Sequence, residues 1–290
     1  MDTEKATLDV SRMARLLDVS RSGYYAWAQR QAAGPSPAQQ RREALAVKIR
    51  NSHLDSDKVY GSPRITADLR AAGECVSAKT VAKLMRAAGI AGISPRKFTP
   101  TTTIAGAGDP QIPDLVERRF DRGRLNAVWV SDITYLDTDE GWLYLCAVRD
   151  GCSRRVLGWH LADHLRTDLV EAAVAMAVTL RGQLPERVIF HADRGCQYTS
   201  AQLAQVAATF GLAQSVGRTG ACWDNAASES FWSTLKTEYY DRHHFATEAE
   251  AKQGVGGWIE ERYNRRRRHS SLGMLTPVEF ENTLTQQPAA

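Results

Sequence analysis

Three carboxylates stand where carboxylates are poor structural choices. Asp132 lies inside the strand-like string W-V-S-D-I-T-Y, Asp193 closes the string R-V-I-F-H-A-D, and Glu229 lies in D-N-A-A-S-E-S-F-W, in a segment of helical pattern. Aspartate is depleted from strand interiors, and an unpaired buried carboxylate is costly. Three acids brought together raise one another's pKa unless a cation intervenes. Magnesium suits that role, being a hard ion that prefers carboxylate oxygen and keeps water and phosphate oxygens in its shell. Two such ions about 4 Å apart clamp an in-line displacement at phosphorus, one activating the attacking oxygen and the other stabilising the leaving one. The chemistry these residue types fit is therefore phosphodiester cleavage and strand transfer. Each acid alone has an ordinary explanation: Asp132 a turn cap, Asp193 a turn residue in D-R-G, Glu229 a surface helix position. Their joint placement favours the metal reading.

The elements that must position them are legible from Val128 onward. Strands are expected at 128–136, 142–149, 155–161, 187–192 and 212–216, and helices at 167–181, 199–210 and 225–240. Three strands, then helix, strand, helix, strand, helix, is the order of a ribonuclease H-like α/β domain with a mixed five-stranded sheet. Asn225 or Asp224 is placed to cap the helix that carries Glu229. Gly217 and Gly220 give freedom to the loop before it. Trp223 in that loop is placed either to stack on a base or to join the core, and His191 is read as finishing its strand.

Upstream the pattern is helical. Val10, Met13, Leu16 and Leu17 form one apolar face, Ser20 caps a second short helix, and Ser36 between two prolines marks a break. Around residues 60–90, Ile65 and Leu69 mark a helix, Gly73 a turn, Ser77 the cap of another helix, and Gly89 its stop. In that last helix Val81, Leu84 and Met85 face inward, while Lys79, Lys83 and Arg86 share another face. This is the pattern of a helix-turn-helix with a basic recognition helix; a plain helical hairpin with solvated lysines is the alternative. The expected organisation is a helical DNA-binding region at 1–93, a Pro/Thr/Gly-rich linker at 94–124, the catalytic core at 125–245 and a basic helical tail at 246–290. Within the tail, Gly254, Gly256 and Gly257 weaken the helical pattern. The run Arg265, Arg266, Arg267 and Arg268 is expected to contact phosphate.

Charge supports this division. The net charge is +4, but residues 1–124 hold 21 Lys and Arg against 13 Asp and Glu, leaving the rest acidic. A basic first half suits DNA. Cys75, Cys146, Cys152, Cys196 and Cys222 include no C-x-x-C pair, which argues for free thiols in a reducing cytosol. No signal core and no bilayer-length apolar stretch appears, so a soluble, unexported protein is expected.

The strings W-V-S-D-I-T-Y, H-A-D-R-G-C-Q-Y-T-S, D-N-A-A-S-E-S-F-W-S-T-L-K and Y-N-R-R-R-R-H-S-S-L resemble the second reading frame (OrfB) of insertion-sequence-three family transposases, within the retroviral-integrase-like DDE superfamily. The resemblance extends upstream through V-S-R-S-G-Y-Y-A-W and Y-G-S-P-R-I-T-A-D-L and covers roughly residues 10–282. In that family 35 residues separate the second acid from the glutamate, as they separate Asp193 from Glu229 here, and a basic residue follows seven positions later, as Lys236 does. Seven residues are two helical turns, so Glu229 and Lys236 share a face. The resemblance implies that Asp132, Asp193 and Glu229 hold two Mg²⁺ ions, with Mn²⁺ able to substitute. It implies that Lys236 holds a DNA phosphate and that Asn225 helps to position DNA. The DNA would be terminal inverted repeats and a target, bound by a homo-oligomer in the bacterial cytoplasm, at the nucleoid. It also implies fusion to an upstream-frame (OrfA) segment, which would supply a leucine zipper that this chain lacks. Met274, where the family often has an aromatic residue, and the glycines at 254–257 depart from the pattern. Two rivals are a non-enzymatic DNA-binding regulator, which would have no need of the acids, and a structure-specific nuclease of the same fold.

Overall fold

The computed structural model of the chain describes residues 9–94, 112–217 and 226–286. The chain divides between Gly92 and Ile93 into two compact units. In the first, α1 (Val10–Leu16) and α2 (Arg21–Ala32) are capped by Asp9 and Ser20, and Val10, Met13 and Tyr24 pack between them. Ser36 does more than mark a break. Its hydroxyl accepts from the Gln39 amide, and with Pro37 in the first turn it starts the long helix α3 (Pro37–Asp55). Both residues suit a helix N-terminus, where the first amides lack intrahelical partners. Helices α4 (Ser62–Ala71) and α5 (Ala78–Ala87) follow, joined through Gly73 at φ 85° and the Ser77 cap. Ile65, Leu69, Val81 and Met85 are buried, and α3 packs against both helices. Lys79, Lys83 and Arg86 are exposed along α5, as the spacing predicts.

The second unit holds a sheet of order β3-β2-β1-β4-β5. Strands β1 (Val128–Thr138), β2 (Gly141–Asp150) and β3 (Val156–Ala162) form an antiparallel meander. Helix α6 (Thr167–Arg181) leads to β4 (Val188–Ala192), which runs parallel to β1. Helix α7 (Ala201–Thr209) leads to β5 (Leu212–Val216), parallel to β4. Every residue of β4 is buried, as expected of a parallel strand covered on both faces. Helices α6 and α7 cover one face over Trp129, Leu157, Leu169, Phe190 and Leu203. Gly158 permits their close approach, since a Cβ there would lie 2.1 Å from the Ala173 carbonyl oxygen.

The other face is covered by α8 (Ala226–Glu238) and α9 (Glu248–Gly257), the latter continuing as a π-helical turn over Trp258–Tyr263. Leu136, Leu143, Leu145, Phe231, Trp258 and Tyr263 fill that layer. Residues 246 onward are thus part of the core rather than an appended tail. The glycines of α9 have a packing reason. A Cβ at Gly254 would lie 2.4 Å from the Tyr239 hydroxyl and one at Gly256 2.4 Å from the Trp159 ring, whereas Gly257 faces open space. Two aromatic side chains lie directly on the helix backbone, which burial of ring area rewards. Beyond Met274, which adopts φ 67°, α10 (Pro277–Gln286) returns to the sheet. Its buried Glu281 accepts hydrogen bonds from Ser153 Oγ at 2.7 Å, Arg155 at 2.7 Å and Arg181 Nη1 at 2.9 Å.

The expected linker is shorter than its composition suggests. From residue 112 the chain packs on the sheet: Val116 is fully buried with Val128, Val130 and Ile189. The Leu115 amide donates to Ser215 Oγ at 2.9 Å, and the Pro113 carbonyl accepts from Val216 at 3.2 Å. Leu115, Val116 and Phe120 supply apolar area without periodicity, so a loop hides what a strand would reveal. Residues 95–111 lie outside the described part.

Candidate active site

Asp132 sits in mid-strand, half-buried, opposite Ala147 of β2. The register of β1 with β4 pairs Val128 with Ile189, Trp129 with Phe190 and Val130 with His191. Carried two residues further, this offset sets Asp132 level with Asp193, the first residue after β4. Neighbouring strands are about 4.8 Å apart, so the two carboxylates come from adjacent positions. Asp193 is exposed, and its Oδ1 accepts the Gly195 amide at 3.0 Å.

Beneath the pair lies Tyr198, buried at 3% exposure. Its hydroxyl is 3.0 Å from Ser131 Oγ and 3.7 Å from Cys146 Sγ. Burial holds this phenol well above its usual range, and the charges of Asp132 and of Asp193 push it the same way. The fields of both aspartates thus reach one hydroxyl. Burial likewise pushes the Cys146 thiol up to about 12, with Asp132 adding to it. The floor under the acids is therefore neutral at physiological pH, and no anion there competes for a cation.

Helix α8 is docked over Asp132. The indole Nε1 of Trp232 donates to Asp132 Oδ2 at 2.9 Å, while Oδ1 accepts the Ile133 amide at 2.9 Å. One turn further on, the Lys236 ammonium lies 5.8 Å from the centroid of the Tyr135 ring, again on β1. Glu229 precedes Trp232 by three residues, on the same stripe of the helix, and is exposed in its first turn. Phe231 lies under the helix, with the buried Arg149 guanidinium 5.0 Å above its ring and Tyr263 edge-on at 4.8 Å. At the helix end, Glu238 takes a two-pronged bond from Arg267 at 2.7 and 2.6 Å.

Asp132 and Asp193 thus each follow by two residues the last paired positions of neighbouring parallel strands, and the helix of Glu229 is tied to Asp132. Among the described residues, no group of three His, Cys, Asp or Glu side chains lies close enough to hold one metal ion. Trp232 is a functional candidate that sequence reasoning missed. Phe231, Trp232 and Leu235 read as an apolar helix face, and nothing in the string F-W marks one of the two as a hydrogen-bond donor to an acid.

The arginine run divides. Arg265 and Arg266 are exposed, and Arg268 is half-buried with its guanidinium on the Met274 carbonyl at 2.9 Å. Arg267 departs from expectation: it is 6% exposed and committed to Glu238. A charge run need not be a surface run when a buried carboxylate requires one of its members. His191 is structural, its Nδ1 2.9 Å from Ser215 Oγ and its ring edge-on to Phe120. Asn225, Trp223 and Gly220 lie outside the described residues. Cys75, Cys146, Cys152 and Cys196 are free thiols. No helix among the described residues is long and apolar enough to cross a membrane.

Comparison with known proteins places relatives on this geometry. Two integrase core domain families match residues 123–222 and 210–277, and an HTH-like domain family matches residues 40–98. The first match takes in Asp132 and Asp193. The second takes in Glu229 and Lys236 and runs through Arg267, in keeping with a core that includes the C-terminal layer. Over 282 residues the chain is 39% identical to the transposase InsF for insertion sequence IS3A of Escherichia coli (strain K12), covering 97% of each chain. It is 36% identical over 278 residues to an uncharacterized 31 kDa protein of insertion element IS600 from Shigella sonnei, covering 96% of this chain and 100% of that one. A chain in the cryoEM structure of the simian T-cell lymphotropic virus intasome in complex with PP2A regulatory subunit B56 gamma shares the fold. It has a TM-score of 0.50 at 13% identity, covering 83% of this chain and 74% of that one.

Proposed function

From the premise that the chain belongs to the IS3 family of transposases, with an integrase core domain and an HTH-like domain, we propose that it nicks the 3′ ends of an insertion sequence and joins them to target DNA. The observation that supports this reading is the β1–β4 pairing, whose last partners Val130 and His191 precede Asp132 and Asp193 by two residues each, together with the Trp232 bond that ties α8 to Asp132. The donor set fits a pair of Mg²⁺ ions, or Mn²⁺ in their place: all three groups are hard carboxylate oxygens, and the two aspartates would repel each other without a cation. Asp132 and Asp193 would hold the ions, and Glu229 would complete the set from the first turn of α8. When bound, such ions supply Lewis-acid activation of the attacking oxygen and stabilisation of the leaving one.

This chain's own residues position the strand. Lys236 holds a phosphate beside the acids, while the neutral layer of Tyr198, Ser131 and Cys146 excludes a competing charge. In the nicking step a water oxygen bonds to phosphorus and the phosphorus–O3′ bond breaks, leaving a 3′-hydroxyl and a 5′-phosphate. In the joining step that 3′-hydroxyl attacks a target phosphodiester and releases a target 3′-hydroxyl, so phosphodiester bonds are conserved. Lys79, Lys83 and Arg86 on α5 contact the terminal inverted repeats, with Asn225, Arg265, Arg266 and Arg268 adding phosphate contacts. A homo-oligomer brings two DNA ends together, an upstream-frame segment completes recognition, and the work is done on the nucleoid in the bacterial cytoplasm.

The test is a Mg²⁺-dependent nicking assay on repeat-end duplexes. Asp132→Asn should abolish nicking, since it would remove a carboxylate that holds the ions, while duplex binding persists. Nicking by that variant at the wild-type rate, or in chelator by either protein, would overturn the reading.

A further inference from the structure

The tip of the β1–β2 hairpin carries large aromatic side chains in solvent. Tyr135 is 59% and Trp142 58% exposed. Tyr135 pairs across the strands with Tyr144, and Trp142 stands two residues from Tyr144 on the same face of the hairpin. The Tyr135 ring lies 6.1 Å from Trp142 at 85° and 6.4 Å from Tyr144 at 78°. Despite these edge-to-face contacts both Tyr135 and Trp142 keep more than half of their surface in solvent. Contiguous exposed apolar area of this kind marks an interaction surface. Beside it is a cation, the Lys236 ammonium. Tyr135 is three residues from Asp132 along β1, about 10 Å of strand, and the odd separation turns its ring to the other face of the sheet, so a DNA strand linking the two passes the edge of β1 where Lys236 stands.

We propose that Tyr135 and Trp142, with Lys236 beside them, form a stacking platform for unpaired bases of a DNA strand entering the carboxylate site. The inference rests on the DNA-cutting reading above and adds the state of the substrate: a strand separated from its complement next to the cut. Aromatic faces take bases of any sequence, and an adjacent cation takes the backbone. The direction of the strand follows from charge. Asp137 stands exposed opposite Trp142, Asp139 lies 3.1 Å from His244, and Glu140 accepts the Glu248 amide at 2.7 Å. These acids make the outer tip unfavourable for phosphate. The backbone therefore runs on the Lys236 side, toward Asp132, with the bases turned to the rings.

The test uses the full chain and two labelled probes, an oligothymidylate and a duplex of equal length. The Tyr135→Leu/Trp142→Leu double variant keeps bulk and removes the planar rings. It should lose about tenfold or more in oligothymidylate affinity while keeping duplex affinity, and Tyr135→Phe/Trp142→Phe should bind both probes as wild type does. Equal loss on both probes in a variant with wild-type thermal unfolding, or no loss on oligothymidylate, would overturn the platform. So would a fall in the sedimentation mass of the free leucine variant, which would assign the rings to contact between copies. Nicking by the wild type is measured alongside. Wild-type nicking with unchanged oligothymidylate binding sinks the platform alone. Selective loss of oligothymidylate binding without any wild-type nicking upholds the platform and sinks the cleavage reading.

Discussion

Replacing Trp232 by phenylalanine removes one hydrogen-bond donor and part of one ring. The donor is the indole N–H on Asp132 Oδ2 at 2.9 Å, in a side chain 8% exposed. A bond to a charged acceptor contributes about 1.5–3 kcal/mol, and the smaller ring adds roughly 1 kcal/mol of packing loss. The stability change is read by thermal unfolding, where each 1 kcal/mol shifts the midpoint by about 2–4 °C in a unit of this size. The functional effect is separate. An outer partner that orients a ligating carboxylate typically sets metal affinity to within about 10–100-fold. The Mg²⁺ concentration for half-maximal nicking should therefore rise about tenfold in Trp232→Phe, with most activity recovered at saturating Mg²⁺. Mn²⁺ binding followed by electron paramagnetic resonance should weaken in parallel, independently of turnover. A folded Trp232→Phe variant with wild-type Mg²⁺ dependence and wild-type Mn²⁺ binding would refute the argument that α8 orients Asp132 through this bond.

Other outcomes follow from the packing and the charges. Glu281→Ala strips Arg155 and Arg181 of a buried partner and should cost about 3–5 kcal/mol in urea unfolding. Burial alone would raise the Glu281 carboxyl, but bonds and charge from Arg181, with Ser153 and Arg155, bring it below its usual 4.5. Its contribution is then full above pH 4.5 and is lost as pH falls through the lower folded value. The Asp150 carboxyl, raised from its usual 3.8 chiefly by burial, runs the opposite way. Wild-type stability should accordingly fall more steeply below pH 4.5 than that of Glu281→Gln, and parallel acid unfolding curves would contradict this. Gly256→Ala drives a methyl group into Trp159 and should destabilise by about 1–3 kcal/mol, whereas Gly257→Ala, in open space, should stabilise by up to about 1 kcal/mol. Equal denaturant midpoints for the two would count against the packing account. Replacing Lys79, Lys83 and Arg86 together by alanine should weaken duplex binding and lower its salt slope by about 0.9 per lost phosphate contact; an unchanged slope would free α5 of that role.

What could be read in the sequence was whatever had a period or a cap. The strands and α6 announce themselves through apolar runs, and Ser20 and Ser77 through capping chemistry. Helix α3 does not, because its buried residues are only Leu45, Ile49 and His53 among 19, a stripe too narrow to stand out. Asp132 and Asp193 were legible as acids in unusual places, and the register shows that both lie just past the paired ends of neighbouring parallel strands. The role of Trp232 was not legible, because burial and hydrogen bonding use the same side chain. Nor was that of Arg267, because its partner Glu238 lies 29 residues back and pairing across such a separation leaves no local trace.

The two ion clusters that close the second face have a temporal meaning. Glu238 and the Ser153–Arg155–Arg181 group leave the ribosome before Arg267 and Glu281, their partners. Until residues 267 and 281 have been made, Glu238 lacks the Arg267 guanidinium and Arg155 and Arg181 lack the Glu281 carboxylate, each a buried pairing that is costly to break. The helix that carries Glu229 and the sheet that carries Asp132 thus acquire these ties only after residues 267 and 281 have been made. A polypeptide ending before residue 267 would keep its first unit and lack a firm second one.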